Sequence, residues 1–116
     1  MAKALVVAES KFFADSGSGT RFPVHVRIYM PHQNGRHFAC RVQMGRIAPS
    51  VEAGGADTMQ ALALGVRFVN NVLARRHQQG WRFFFSKDEK KPFAFWQIWG
   101  HSPRLSSFCI PGDPEP

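Results

Sequence analysis

Five histidines (His25, His32, His37, His77 and His101) and two cysteines (Cys40 and Cys109) could hold a metal or supply a nucleophile and its base. A zinc site needs such residues at close, fixed spacings, as in two histidines one helical turn apart or a Cys-x-x-Cys pair. No such spacing occurs in the chain. Ser10, Ser50, Cys40 and Cys109 lie neither on a nucleophile elbow nor beside a base paired to them in sequence. The carboxylates, among them Glu9, Asp15, Glu52, Asp57, Asp88 and Glu89, are scattered, mostly at loops or caps. Gly17-Ser18-Gly19 and Gly54-Gly55 lack the Gly-Lys-Ser/Thr ending of a phosphate loop. The expectation is a protein that is not an enzyme, with no metal and no cofactor.

Binding chemistry has more material. Fifteen Lys and Arg against eight Asp and Glu give a net charge of +7, which favours an acidic partner. From Trp81 to Phe85, and again around Lys90, Lys91, Phe93, Phe95 and Trp96, basic and aromatic residues interleave. Exposed rings can stack on bases while Lys and Arg neutralise phosphates. Arg82, Lys87, Lys90, Lys91 and Trp96 are therefore the candidate contacts of a nucleic-acid surface. Periodicity argues the other way, because Trp81, Phe83 and Phe85 share one strand face, as a core strand requires.

The elements that must position these residues read as an α+β domain, an antiparallel sheet of four to five strands packed against one long helix. Residues 4–13 form a first strand. Phe22 to Met30 and Phe38 to Met44 carry apolar residues at every even position, the period of a half-buried strand. A three-residue loop, Gln33-Asn34-Gly35, would pair Met30 with Phe38, Ile28 with Cys40 and Val26 with Val42, with Gly35 left-handed in a G1 bulge. That register sets Arg27 opposite Arg41 on the outer face, with His25 close by. Opposed like charges are mildly destabilising, so the pair is either tolerated in solvent or matched by an anion.

Residues 47–55 read as a loop. A helix follows over about 58–79, with Asp57 as its N-cap, Gln60 completing a capping box, and Gly80 free to take a left-handed C′ conformation. Met59, Leu62, Val66, Val69 and Leu73 make a core stripe, and Ala61, Leu64, Phe68 and Val72 make a second one. Gly65 costs the helix about 1 kcal/mol relative to Ala, which points to a close backbone contact there. Two more strands, 81–85 and 93–99, complete a single domain over residues 1–100. Residues 101–116 form a Pro-rich C-terminal tail, with Phe108 and Ile110 as the residues that would dock it.

The chain resembles an uncharacterised family of small bacterial domains. Its signature is a strand bearing Cys and then Gly, a loop, and a helix opening Gly-x-Asp-Ser/Thr-x-Gln-Ala-Leu. The matching residues are Phe38, Cys40 and Gly45, then Gly55, Asp57, Thr58, Gln60, Ala61 and Leu62, within residues 38–75. The resemblance implies the α+β fold and carries no catalytic residue. Each matching residue also has a structural use: Asp57 caps, Gln60 completes the box, Ala61 and Leu62 pack.

A second apolar helix stripe, surplus aromatics and an Arg-bearing sheet face are together the ingredients of a protein interface. The leading expectation is a small protein-binding module, of the inhibitor, immunity or adaptor kind, that recognises an acidic protein surface. Arg27 and Arg41 on the sheet and Leu64 and Phe68 on the helix would make the contacts. A homodimer packed through the helix is another way to cover the second stripe, and nucleic-acid binding is the alternative function. The apolar run from Ala4 to Ala8 is too short for a secretory or membrane-spanning segment, so no membrane partner and a cytoplasmic, thiol-reducing location are expected.

Overall fold

The computed structural model describes residues 5–93 and 108–113. The fold is α+β, with six antiparallel strands and one helix among the described residues, in the order β1 (Val6–Asp15), β2 (Arg21–Tyr29), β3 (His32–Asn34), β4 (His37–Gln43), β5 (Val51–Gly55), α1 (Thr58–Gln78) and β6 (Arg82–Phe84). β2 and β3 follow one another along the same edge of β4, and β5 takes the other edge. Across the sheet the order is therefore β5, β4, β2 with β3, β1, β6. The expected strand over 93–99 lies outside the described residues beyond Phe93, as do Trp96 and the boundary at 100–101.

Alternation places the strands as expected, but the register differs. Asn34 pairs with His37, so Gly35 and Arg36 form a two-residue turn. Gly35 is left-handed at φ +66°, and among the described residues none other than glycine has positive φ. Glycine at the first turn position alone suits a II′ turn rather than the G1 bulge. Further along, Ile28 pairs with Val42 and Arg27 with Gln43. The pairing is thus displaced by two residues from Ile28–Cys40. A two-residue slip keeps every even position inward, so the apolar pattern alone could not distinguish the two registers. The ladder slips by one residue between β2 and β3, at Met30 and Pro31, and β3 tolerates this because it is exposed throughout. Arg41 consequently faces Glu52 of β5, not Arg27.

β5 itself is a correction to the expected loop over 47–55. Val51, Ala53 and Gly55 point inward opposite Val42, Cys40 and Phe38. Small residues and two glycines hide a strand whose stability comes from the neighbouring edge of β4 rather than from its own propensity.

The helix begins and ends as its sequence dictates. Asp57 Oδ1 accepts from the Gln60 N–H at 2.8 Å, and Gln60 Oε1 accepts in return from the Ala56 N–H. At the other end Gly80 is left-handed, Trp81 N–H donates to the Arg76 carbonyl at 2.9 Å and Gly80 N–H to that of His77 at 3.0 Å. This pair of bonds is a Schellman motif.

Neither expected stripe is by itself the seat of α1: its buried face takes Val69 and Leu73 from one and Ala61 and Val72 from the other. The helix lies over β4 and β5 and buries Ala61, Gly65, Val69, Val72, Leu73 and Ala74. A Cβ on Gly65 would sit 3.0 Å from Cys40 Sγ, and one on Gly55 only 2.5 Å from the Ala61 backbone nitrogen. Small residues let the helix approach the sheet closely, and the outer members of the two stripes, Met59 and Val66 on one and Leu64 and Phe68 on the other, are left on its shoulders. Met59 is 80% exposed and Val66 is exposed as well, so both leave the core expected for them. Phe12, Val24, Val26, Ile28, Val42, Met44, Ile47 and Phe83 fill the space below, joined by Ile110 from the C-terminal segment.

Candidate binding surfaces

Inward even positions leave the odd residues of β1, β2 and β4 on the solvent face of the sheet. Glu9 and Lys11 stand beside His25, Arg27 and Tyr29, with Gln43 and Arg41 on the next strand. His25 Nε2 lies 2.6 Å from Glu9 Oε2, while Arg27 Nε is 3.3 Å from the same imidazole nitrogen. One nitrogen cannot both donate to Glu9 and accept from Arg27. The shorter contact sets the tautomer, and Arg27 merely lies alongside. The hydrogen bond from His25 holds the Glu9 carboxyl below its ordinary value, with Lys11 and Arg27 adding to the effect against a desolvation that opposes it.

Tyr29 donates its hydroxyl to Gln43 Oε1 at 2.6 Å, and the Arg41 guanidinium lies 5.6 Å from the Tyr29 ring centre. Glu52, opposite Arg41 in the register, lies 3.7 Å from His32. His25, Arg27, Gln43, Gly45 and Ser50 line one shallow depression on this face. Arg27 and Arg41 therefore share a surface, as expected, although they do not oppose each other. Alternation found them; the positions of Tyr29, Gln43 and Ser50 around them depend on register and on the loop after β4.

The helix residues separate from that surface entirely. Leu64 and Phe68 are half-buried on the shoulder away from β1. Phe68 packs edge-on against Phe108 at 6.1 Å between ring centres, and Arg75 donates to the Phe108 carbonyl. The opposite shoulder borders an apolar cleft between helix and sheet, lined by Ala8, Ser10, Val26, Ile28, Val66 and Val69, with Glu9 and Asn70 at its margin. Sequence periodicity had put Val66 in the core, because a helix face cannot be assigned to a sheet until the helix axis is placed.

Among the nucleic-acid candidates, Arg82, Lys87, Lys90 and Lys91 are exposed around the turn after β6. Arg21 anchors that turn: its guanidinium stacks 3.5 Å from the Phe84 ring centre and donates to the Lys87 carbonyl at 2.9 Å. Phe85 is 55% exposed but stacks on Phe93 at 4.2 Å. Trp96 lies outside the described residues.

Among the described residues no three His, Cys, Asp or Glu side chains gather to hold a metal ion, and no helix is long and apolar enough to cross a membrane. The fold and its surfaces define a single-helix α+β domain with a polar sheet face. The chain belongs to the family described as domain of unknown function (DUF6968), which it matches over residues 10–95. No curated protein and no solved structure matches it.

Proposed function

We propose that this protein is a non-enzymatic binding module that recognises an acidic protein surface through the solvent face of its sheet. The observation that carries the reading is the setting of Arg27 and Arg41. Both stand outward on adjacent strands, and among the described residues neither guanidinium has a carboxylate within ion-pair distance. Tyr29 and Gln43 stiffen the surface between them. Cations without an ion-pair partner suit a complementary anionic surface and speed its encounter. The helix start from Gly55 to Leu62 is read as the signature of a bacterial family, serving the fold rather than a reaction. A cytoplasmic location fits the two unpaired thiols.

Affinity capture from native host lysate, with and without nuclease, tests this. The expected result is one stoichiometric acidic protein that survives nuclease and is lost with the Arg27→Glu/Arg41→Glu double variant. Capture unaffected by the double variant would move the site elsewhere.

Nucleic-acid binding has one observation in its favour: Phe85 is half exposed beside a turn carrying Lys87, Lys90 and Lys91. On that reading Lys90→Ala/Lys91→Ala lowers oligonucleotide affinity and flattens its salt dependence. Affinity and slope unchanged by the substitution would remove it.

A further inference from the structure

The depression on the sheet's solvent face is lined by donors whose partners are missing from the fold. Tyr29 occupies Gln43 Oε1, so the Gln43 amide is oriented with its NH₂ group turned away from that bond. Arg27 brings five N–H groups and no acceptor, and its only hydrogen-bond contact among the described residues is the 3.3 Å approach to His25. Ser50 is exposed in the same depression and its hydroxyl makes no hydrogen bond among the described residues. His25 is engaged with Glu9. What remains open to solvent is a guanidinium, an amide NH₂ and a hydroxyl.

We infer that this depression is an oxyanion site, and that it receives a single carboxylate from the acidic partner. The assignment rests on the protein-binding reading above. A guanidinium forks onto the two oxygens of a carboxylate through parallel hydrogen bonds. Gln43 Nε2 and the Ser50 hydroxyl then serve the remaining lone pairs. Glu9 and Glu52 lie on the same face. Glu9 stands directly opposite Arg27 on β1 and Gln43 opposite it on β4. A nucleic-acid strand would therefore carry a row of phosphates past both carboxylates, whereas one side-chain carboxylate need meet only the Gln43 side of Arg27. Tyr29 acts at one remove, by holding the amide in its donor orientation.

The test is an NMR titration of the full chain with capped hexaglutamate, with inorganic phosphate and an oligothymidylate as separate arms. Hexaglutamate is expected to shift the Gln43 side-chain NH₂ and Arg27 Nε–H signals. Arg27→Gln should weaken its binding by about tenfold, the scale of one lost charge-assisted pair. Tyr29→Phe should weaken it by a smaller factor while leaving the fold's other signals in place. Silence of the Gln43 and Arg27 signals on adding hexaglutamate would overturn the site. So would tighter binding of phosphate or oligothymidylate to the same signals, which would make it a phosphate site. A captured protein that survives nuclease while hexaglutamate is silent would remove this site and leave the binding reading standing. Hexaglutamate binding with no captured protein would do the reverse.

Discussion

Arg76 donates to Asp113 at 2.8 Å and so ties the last turn of α1 to the C-terminal segment. The two side chains are only 14% and 20% exposed. The same guanidinium donates twice to the Ile47 carbonyl, at 2.7 and 3.0 Å, and lies 5.0 Å from the Trp81 ring centre. Helix, post-β4 loop and C-terminal segment therefore meet on one side chain. Arg76→Ala takes the ion-pair partner from the Asp113 carboxylate, leaving it the 3.4 Å contact from Gln79 Nε2. It also removes both of these donors from the Ile47 carbonyl, and should cost about 3 kcal/mol. Asp113→Asn keeps shape and an acceptor and should cost about 1 kcal/mol. Urea unfolding measures both, and equal losses would show that the ion pair is not the centre of the junction.

Gly65→Ala should destabilise the protein, although alanine favours the helix by about 1 kcal/mol. The new methyl meets Cys40 Sγ at 3.0 Å and Val42 Cγ2 at 3.3 Å, both on buried side chains. A net loss of about 1–2 kcal/mol is expected from overpacking. Adding Cys40→Ala should recover part of it in a double-mutant cycle. Gly55→Ala has no such relief, since its contact is the Ala61 backbone. Its cost should be the larger of the two.

His77 has its pKa lowered by desolvation first and by the charge of Arg82 second. A depressed value means that the unfolded chain takes up the proton first as pH falls. Stability should therefore be constant well above the ordinary value of 6.5, decline below it, and level off under the lowered folded value. Unfolding midpoints between pH 8 and pH 5 (about the range in which His titrates) check this. His77→Gln should flatten the part of the decline due to this residue, and a decline unaltered by the substitution would assign it to other groups.

Cys40 is buried, and that burial pushes its thiol up from the ordinary value, whereas Cys109 is exposed. Since the thiolate is the reactive form, an aromatic disulfide reagent should modify Cys109 promptly in the native protein. Cys40 should react only at the rate of unfolding. Rapid modification of both thiols would show that the α1–β4 contact opens readily.

Local signals were legible in the sequence wherever chain neighbours decide the outcome. Asp57, Gln60 and Gly80 cap α1 through bonds within a few residues, and the even positions of β2 and β4 face inward because the strand period is two. Gly65 announced a close approach through its cost to the helix. Arg27 and Arg41 could be placed on one face by the same alternation. Less legible was β5, where Gly54 and Gly55 look like loop and act as strand.

By itself, then, the sequence determined the α+β class, the helix and its ends, and which strand residues face out, because each follows from backbone geometry over a few residues. Tertiary structure alone decided the β2–β4 register, since a shift by two leaves every face unchanged. It also decided the seat of α1: two apolar stripes compete on equal terms until the close approach at Gly55 and Gly65 sets the helix on β4 and β5 with part of each stripe buried. For the same reason only the fold could bring Gln43 and Ser50 beside Arg27, for their meeting depends on contacts between strands and a loop that no local pattern encodes.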